Sequence, residues 1–492
     1  MQGLKQNFRS GIFAPMSDSK TETLKPADPI TEGPIAKGIL SFFFPILFGS
    51  FFQQMYNITD AIIVGRFVGK EALGAVGGGT ATFINLLVGL FVGIANGASV
   101  VISQYFGAKD RENTHRAIQT AINMSVWGGA LVMAVGLLTS RWVMTLIDTP
   151  AEILDMSVTY LAVYFTGTIP MFLYNVGAST LRSMGDSKRP LYILIAGCVV
   201  NIGLDILFVA VFRWGVAGAA WATVACQVFS AVLTLILLKK TTDFSFHERG
   251  IDRNIFRMML YLGIPAGIQG MMYSISNIII QKAINVLGTD TVAANAAYSK
   301  VDSFFWMCIN SFGVAVTVFS GQNYGAHNYG RVRKSMKVCL GMSAITAVII
   351  SAAFMLWGRT FLSIFTTDEK VLDIGVQIVY CIAPYFLTWI SIEILSGTMR
   401  GCGQSLIPTL FTVFGICVLR VVWILCYFPA HHTISGIMAA YPLTWTATSL
   451  LFWGYYLFGH WMNVENGARA PRTLRLHLRW HFPRISGRDG HA

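Results

Sequence analysis

Acidic residues inside apolar runs are costly, and two in this chain stand in matching company. Asp60 closes "MYNITD" in a run that opens near Ile35, and it is the only acid between Ile35 and Gly65. Asp205 sits in "NIGLDILFV". Tyr56 precedes Asp60 by four residues and Asn201 precedes Asp205 by four, so on a helix each pair shares a face. Taking water away from a carboxylic acid favours its protonated form, so such a group can trade a proton for a cation near neutral pH. Each Asp also has a plainer reading, in which it faces a wet vestibule or satisfies a neighbouring Asn. Tyr56 equally suits an interfacial or packing aromatic. A further acid, Glu393, lies seven residues before Arg400 and suits either a substrate carboxylate or a structural partner of a basic residue. Pro45, fifteen residues before Asp60, removes an intrahelical hydrogen bond and kinks a helix, either statically or as a hinge with two bends.

The elements that must hold these groups follow from composition. With 492 residues, 54% hydrophobic and 12% charged, the chain has about half the charge of an average soluble domain. It reads as an all-α polytopic membrane protein. A scan for apolar runs of roughly 20 residues finds about twelve spans, the first at 38–64 and the last at 436–460, with the fourth ending at 181 and the tenth at 399. Residues 1–34 lack the short apolar stretch and small-residue cleavage site of a signal peptide, so they read as a cytoplasmic tail. The remaining divisions are a six-helix lobe at 35–240, a cytoplasmic linker at 241–257, a second six-helix lobe at 258–460 and a basic cytoplasmic tail at 461–492.

Lysine and arginine placement sets the orientation. With the N-terminus inside, the inner segments collect Lys109, Arg111, Arg116, Arg182, Lys188, Arg189, Lys239, Lys240, Arg249, Arg253, Arg257, Arg331, Arg333, Lys334 and Lys337. The outer loops hold only Arg66, Lys70, Arg141, Arg213, Arg359 and Lys370. Both termini are therefore expected in the cytoplasm, in a bacterial inner membrane, and the net charge of +12 is a topology signal spread over alternate loops rather than a nucleic-acid surface. The eight cysteines fall mostly inside spans, which implies no extracellular disulfide framework. No CxxC pair or tight Cys/His cluster marks a metal site, and His431-His432 reads as a solvated loop. Gly77-Gly78-Gly79 is not followed by a P-loop Lys-Ser/Thr, so it reads as close packing or a flexible joint.

The chain also repeats itself. Shifted by 218 positions, "SQYFGAKDRENTHRA" from Ser103 meets "GQNYGAHNYGRVRKS" from Gly321, and "STLRSMGDSKRP" from Ser179 meets "GTMRGCGQSLIP" from Gly397. Arg141 falls on Arg359 and Asp155 on Asp373. Near the start the register slips to 217, and "MYNITD" meets "MYSISN" from Met272. Two six-helix bundles in one orientation result. That arrangement favours a transporter with alternating access over a channel or a membrane-bound enzyme.

Over nearly all of 35–460 the chain resembles the multidrug and toxic compound extrusion (MATE) family. Pro45 and Asp60 followed by "IIVGRFVG", "QYFGA" and "QNYGA", "RSMGDSKRP", "NIGLD" and "GVAGAAWAT" carry the likeness in order and in duplicate. The resemblance implies a hydrogen-bonded cation-sensing cluster in the first lobe made of Asp60, Asn201 and Asp205, with Thr223 as companion. It implies an efflux antiporter that needs no cofactor, acts as a monomer and exports cationic or amphipathic organic compounds as protons or sodium ions enter. The second lobe departs from this pattern. Asn277 replaces Asp60, Trp423 stands 218 beyond Asp205, and helix 7 offers Gln269, Gln281 and Lys282 but no acid, so coupling is expected in the first lobe alone. Lys282 is expected to snorkel and Arg420 to pair with an acid. The runner-up is a flippase for lipid-linked saccharides, which is expected to line its cavity with several arginines for pyrophosphate. Arg420, Lys282 and Lys300 are the basic groups counted within the spans as bounded from sequence.

Overall fold

A computed structural model describes residues 30–242, 244, 250–459 and 461–462. The expected tails 1–34 and 461–492, apart from 30–34 and 461–462, and residues 243 and 245–249 of the expected linker lie outside the described residues. The rest forms twelve helical elements: α1 (Ile35–Phe67), α2 (Lys70–Gly107), α3 (Arg111–Leu146), α4 (Ala151–Thr166 and Thr168–Ser183), α5 (Lys188–Val211), α6 (Gly215–Thr241), α7 (Arg253–Val286), α8 (Thr289–Gly325), α9 (Tyr329–Ser363), α10 (Glu369–Gly401), α11 (Leu406–Tyr427) and α12 (Ala440–Phe458, led in by the turn Ile434–Met438). Nine are long and apolar enough to cross a membrane, and the two segments of α4 together make a tenth. The amides along α7 and the tyrosines and tryptophans of α12 make those two less apolar.

The duplicated motifs are helix stops. "QYFGAKD" ends α2 with Lys109 at φ 56°, and Asp110 N–H reaches back to the Tyr105 carbonyl at 3.1 Å. "QNYGAHN" ends α8 in the same way, with His327 at φ 56° and Asn328 N–H on the Asn323 carbonyl at 2.8 Å. These left-handed caps satisfy carbonyls that a helix end leaves free. Asp110 then accepts from Asn113 N–H at 3.0 Å and starts α3. "RSMGD" and "RGCGQ" stop α4 and α10 with Gly185 and Gly403 at φ 94° and 86°. At the opposite end, Arg141 pairs with Asp155 at 3.3 Å and Arg359 with Asp373 at 2.6 Å, so the aligned residues form equivalent ion pairs.

Helix breaks repeat too. α4 bends by 51° at Gly167, and α10 passes through a tight turn at Ala383–Tyr385. α2 is interrupted at Gly78, so the glycine triplet is a joint between two helical segments. Pro45 lies inside an uninterrupted α1. Its position matters for packing. On the N-terminal side, Ile35, Ile39, Phe42 and Phe43 are buried in the core of the second half, where Phe43 stacks on Phe312 of α8 with ring centroids 4.1 Å apart. Beyond it, Ile63 and Val64 pack with Val209 and Ala219 of α5 and α6. α7 mirrors this. Ile255, Met259 and Leu262 belong to the core of the first half, Pro265 follows, and Ile280, Ala283 and Ile284 belong to the second.

The two halves meet along α2 and α7, and at the tips of α2 and α8. Gly93 and Gly97 lie directly on the backbone of Gly263 and Gly267, whereas Gly89 and Gly270, about one turn farther from the basic loops, meet nothing within 4 Å. The crossing is close because no Cβ intervenes, and it ends there. At the basic face, a Cβ on Gly107 would overlap the Gln322 carbonyl and one on Gly325 the Gln104 carbonyl. Gln104 Nε2 donates to the Gly401 carbonyl of α10 at 2.8 Å, and Gln322 Nε2 donates to the Ser183 carbonyl of α4 at 2.6 Å. Each glutamine thus ties its own half to the stop of the other half's bent helix, and the seam is closed at this face.

Two such hydrogen bonds contribute about 1 kcal/mol each. In a background where Cys402, buried behind the seam, is the sole cysteine, Gln104→Leu with Gln322→Leu should raise its maleimide labelling from the basic face about thirtyfold. An unchanged labelling rate would mean that helix crossing alone closes the seam.

Candidate functional site

Asp205 is the last α-helical residue of α5 before a wider π-helical turn at Ile206–Val211, and it is 0% exposed. π-turns mark functional positions in many helices because they re-aim neighbouring side chains. Asn201, one turn back, is equally buried. α1 brings Tyr56 and Asp60 alongside, and α6 brings Thr223, whose Oγ1 lies 3.3 Å from the Tyr56 hydroxyl. Asp60 is close enough for its charge to act on Asp205. Tyr160 of α4 lies in the field of both acids and of Tyr56. The structure therefore gathers Tyr56, Asp60, Asn201, Asp205 and Thr223 into one cluster. Among the described residues, Asp60 Oδ1, both Asp205 oxygens and both polar atoms of the Asn201 side chain have no hydrogen-bond partner. The expected hydrogen bonding within the cluster is confined to Tyr56 and Thr223. Buried polar atoms are paired in the great majority of cases, so five orphans in one place call for a function.

Pro45 and Glu393 lie elsewhere. Pro45 is fifteen residues along α1 from Asp60, about 22 Å toward the basic face. Glu393 lines a cavity of about 1060 Å³ between the halves, walled by α1, α2, α4, α7, α8, α10, α11 and α12. Its Oε1 lies 3.7 Å from Arg400, and its side chain rests on Gly313, so it is at once on the wall and paired. Neither Asp60 nor Asp205 lines this cavity, whereas Ser50 and Gln54 of the same α1 do.

Three arginines line it: Arg182, Arg400 and Arg420. The sequence count of basic groups missed the first two because the spans were ended at 181 and 399, one residue short of each. Both belong to the last helical turn. Arg420 departs from expectation, since no carboxylate lies within 4.0 Å of it among the described residues. Its guanidinium sits 4.2 Å over the Tyr441 ring, and its Nη1 lies 3.5 Å from Asn277 Oδ1. Asp302 of α8 also lines the cavity, with Oδ2 accepting from the Trp306 indole at 2.6 Å. It is an acid inside an apolar run, the signal that singled out Asp60, and the sequence reading passed it over. Lys282 is exposed near the end of α7, as snorkelling requires. His431 stacks on Tyr427 at 4.3 Å, so it packs against the end of α11.

A family model described as MatE matches residues 45–207 and again 265–427. The chain belongs to the MatE family. The two matches begin at Pro45 and Pro265, the prolines where α1 and α7 change partners. Among curated relatives, the "Probable multidrug resistance protein YoeA" of Bacillus subtilis is 28% identical over 85% of this chain and 92% of its own. The "Multidrug export protein MepA" of Staphylococcus aureus is 22% identical over 80% of this chain and 88% of its own. A solved structure described as the outward-facing conformation of a multidrug resistance MATE family transporter superposes with a TM-score of 0.81 at 21% identity, covering 89% of this chain and 98% of that one. MatE membership makes this twelve-helix chain an integral membrane transporter for multidrug efflux, with small molecules as its cargo.

A buried carboxylate with no donor on either oxygen among the described residues holds charge at a cost. Asp205→Asn should therefore raise the melting temperature of the purified protein, by on the order of 1 kcal/mol of stability. A fall in melting temperature by scanning fluorimetry would mean that the carboxylate is held by the fold and is not poised for an ion.

Proposed function

We propose that this MatE transporter is an antiporter driven by a cation, a proton or sodium ion, that lodges at Asp60 and Asp205. The observation that supports it is the pair of neighbouring carboxylates whose polar atoms find no partner among the described residues. An arriving cation replaces repulsion between two acids with attraction to both. Asn201 and Thr223 supply further oxygens for it, and Tyr56 ties α1 to α6. Because the acids do not line the cavity, coupling passes through α1. Its outer segment carries Asp60, its middle carries Ser50 and Gln54 on the cavity wall, and its inner segment is anchored in the core of the second half. Pro45 sits where those allegiances change and serves as the hinge. Glu393 and Arg400 form a polar floor to the cavity near the seam.

The basic face is taken as cytoplasmic in a bacterial inner membrane. The seam of Gln104 and Gln322 then closes the cavity to the cytoplasm, the closure that an outward-open state requires. Cationic or amphipathic organic compounds are the cargo, and one chain suffices. The three cavity arginines favour a second reading as a flippase for lipid-linked pyrophosphates. That reading gives no task to Asp60 and Asp205.

Dye efflux from proteoliposomes under separately imposed proton and sodium gradients tests the first reading. Asp60→Asn should insert and fold yet lose gradient-driven efflux, and Asp205→Asn should do likewise. The double variant should be little worse than either, since interacting acids act as a unit. Full efflux by Asp60→Asn at wild-type expression would sink the mechanism, as would transport driven by ATP with neither gradient.

Orientation is tested separately. In a background lacking Cys426, the exposed native thiol, a cysteine at Asp290 should label from outside intact cells and one at Arg111 only after permeabilisation. The reverse pattern would invert the whole scheme.

A further inference from the structure

We propose that the part of the cavity formed by the second half binds the anionic group of an aromatic amphiphile, with Arg420 as its anchoring cation. This rests on reading the cavity as the substrate chamber, and it names a chemical class that the acid cluster does not suggest. Arg420 is 3% exposed, and its Nε has no partner among the described residues. A buried guanidinium without a carboxylate is costly unless something supplies one. Stacking on Tyr441 fixes the plane of its fork, and the one hydrogen bond from its Nη1, to the Asn277 amide oxygen, is long at 3.5 Å and brings no charge.

Other donors face the same need. The indole N–H groups of Trp389 and Trp445, two residues of the cavity wall, are buried and find no acceptor among the described residues. The neighbouring Trp306 shows the contrast, because its indole is spent on Asp302. Unused indole donors and a guanidinium without a carboxylate select an acceptor-rich group, and a carboxylate attached to a ring meets the guanidinium fork in its own plane. Trp306, half-buried and with its ring centroid 4.8 Å from that of Trp389, offers the surface that receives the aromatic body. Glu393 is neutralised by Arg400.

Position in the repeat makes the assignment specific. Asn277 is the counterpart of Asp60, and Arg420 lies one residue past the counterpart of Asn201. Where the first half places two acids for a cation, the second half places a base beside an amide.

The test measures binding rather than transport. Quenching of tryptophan fluorescence in the purified protein is titrated with 1-naphthoate and with its uncharged analogue 1-naphthamide. The wild type should bind the acid about tenfold more tightly than the amide, the range expected for one charge-assisted contact. Arg420→Gln should bring the two to parity and leave the amide's affinity unchanged. Asn277→Asp sets a carboxylate beside Arg420 without deleting it, and should abolish the preference even if Arg420→Gln does not fold. Asp60→Asn should keep the preference, which separates failure of the anion site from failure of the antiport reading. Equal affinities in the wild type, no binding of either compound, or a preference that survives both Arg420→Gln and Asn277→Asp would overturn the proposal.

Discussion

α1 and α7 each belong to both halves of the molecule, and the rest of the arrangement depends on that exchange. Ile39 and Phe42 of α1 are buried in the second core, and Met259 and Leu262 of α7 in the first. Separating the halves completely would pull these side chains into lipid or water and would uncover the glycine crossing of α2 on α7. The halves can still rock, because each exchanged helix carries a proline at its change of partner and a missing backbone hydrogen bond makes bending there cheaper. What holds them closed at the basic face is modest by comparison. Two glutamine hydrogen bonds and two glycine contacts sum to a few kcal/mol, the range in which both members of a two-state pair are populated.

The scaffold is symmetric and its charges are not. Helix stops, ion pairs, helix breaks and seam glutamines all recur 218 residues apart, down to left-handed residues at Lys109 and His327. Chemistry breaks the pattern in α1 against α7 and in α5 against α11. The π-helical turns differ as well, following Asp205 in α5 and preceding Arg420 in α11. A wide turn shifts the helical phase of everything beyond it, so equivalent helices aim different residues inward. One frame thus carries two acids in one half and an arginine beside an amide in the other.

Much of this was legible in the residues. Twelve spans, the repeat, the orientation signal and the acids Asp60 and Asp205 follow from hydropathy, spacing and the rarity of intramembrane charge, which are strong local signals. Less legible was whatever depends on helix ends or on neighbours from distant sequence. Arg182 and Arg400 were left outside the spans because apolar runs stop before the helices do. The lack of an acid partner for Arg420 is a fact about α7 and α12, which no spacing within α11 encodes. Gln104 and Gln322 stood in the quoted repeat from the start, but their reciprocity appears only when α2 and α8 cross.

Separating the acids from the cavity has a mechanical consequence. If cation and cargo shared one wall, exchange would follow from competition for the same oxygens, and any cargo had to be a cation. On the antiport reading proposed above, the cation site and the cavity communicate through α1, which carries Asp60 and lines the cavity with Ser50 and Gln54. A ligand shifts such an equilibrium only by its differential affinity for the two states. The cation must therefore favour one setting of α1 and the cargo the other, and neither need resemble the other in charge. That freedom lets a chamber lined by three arginines and two acids work beside a site built from two aspartates.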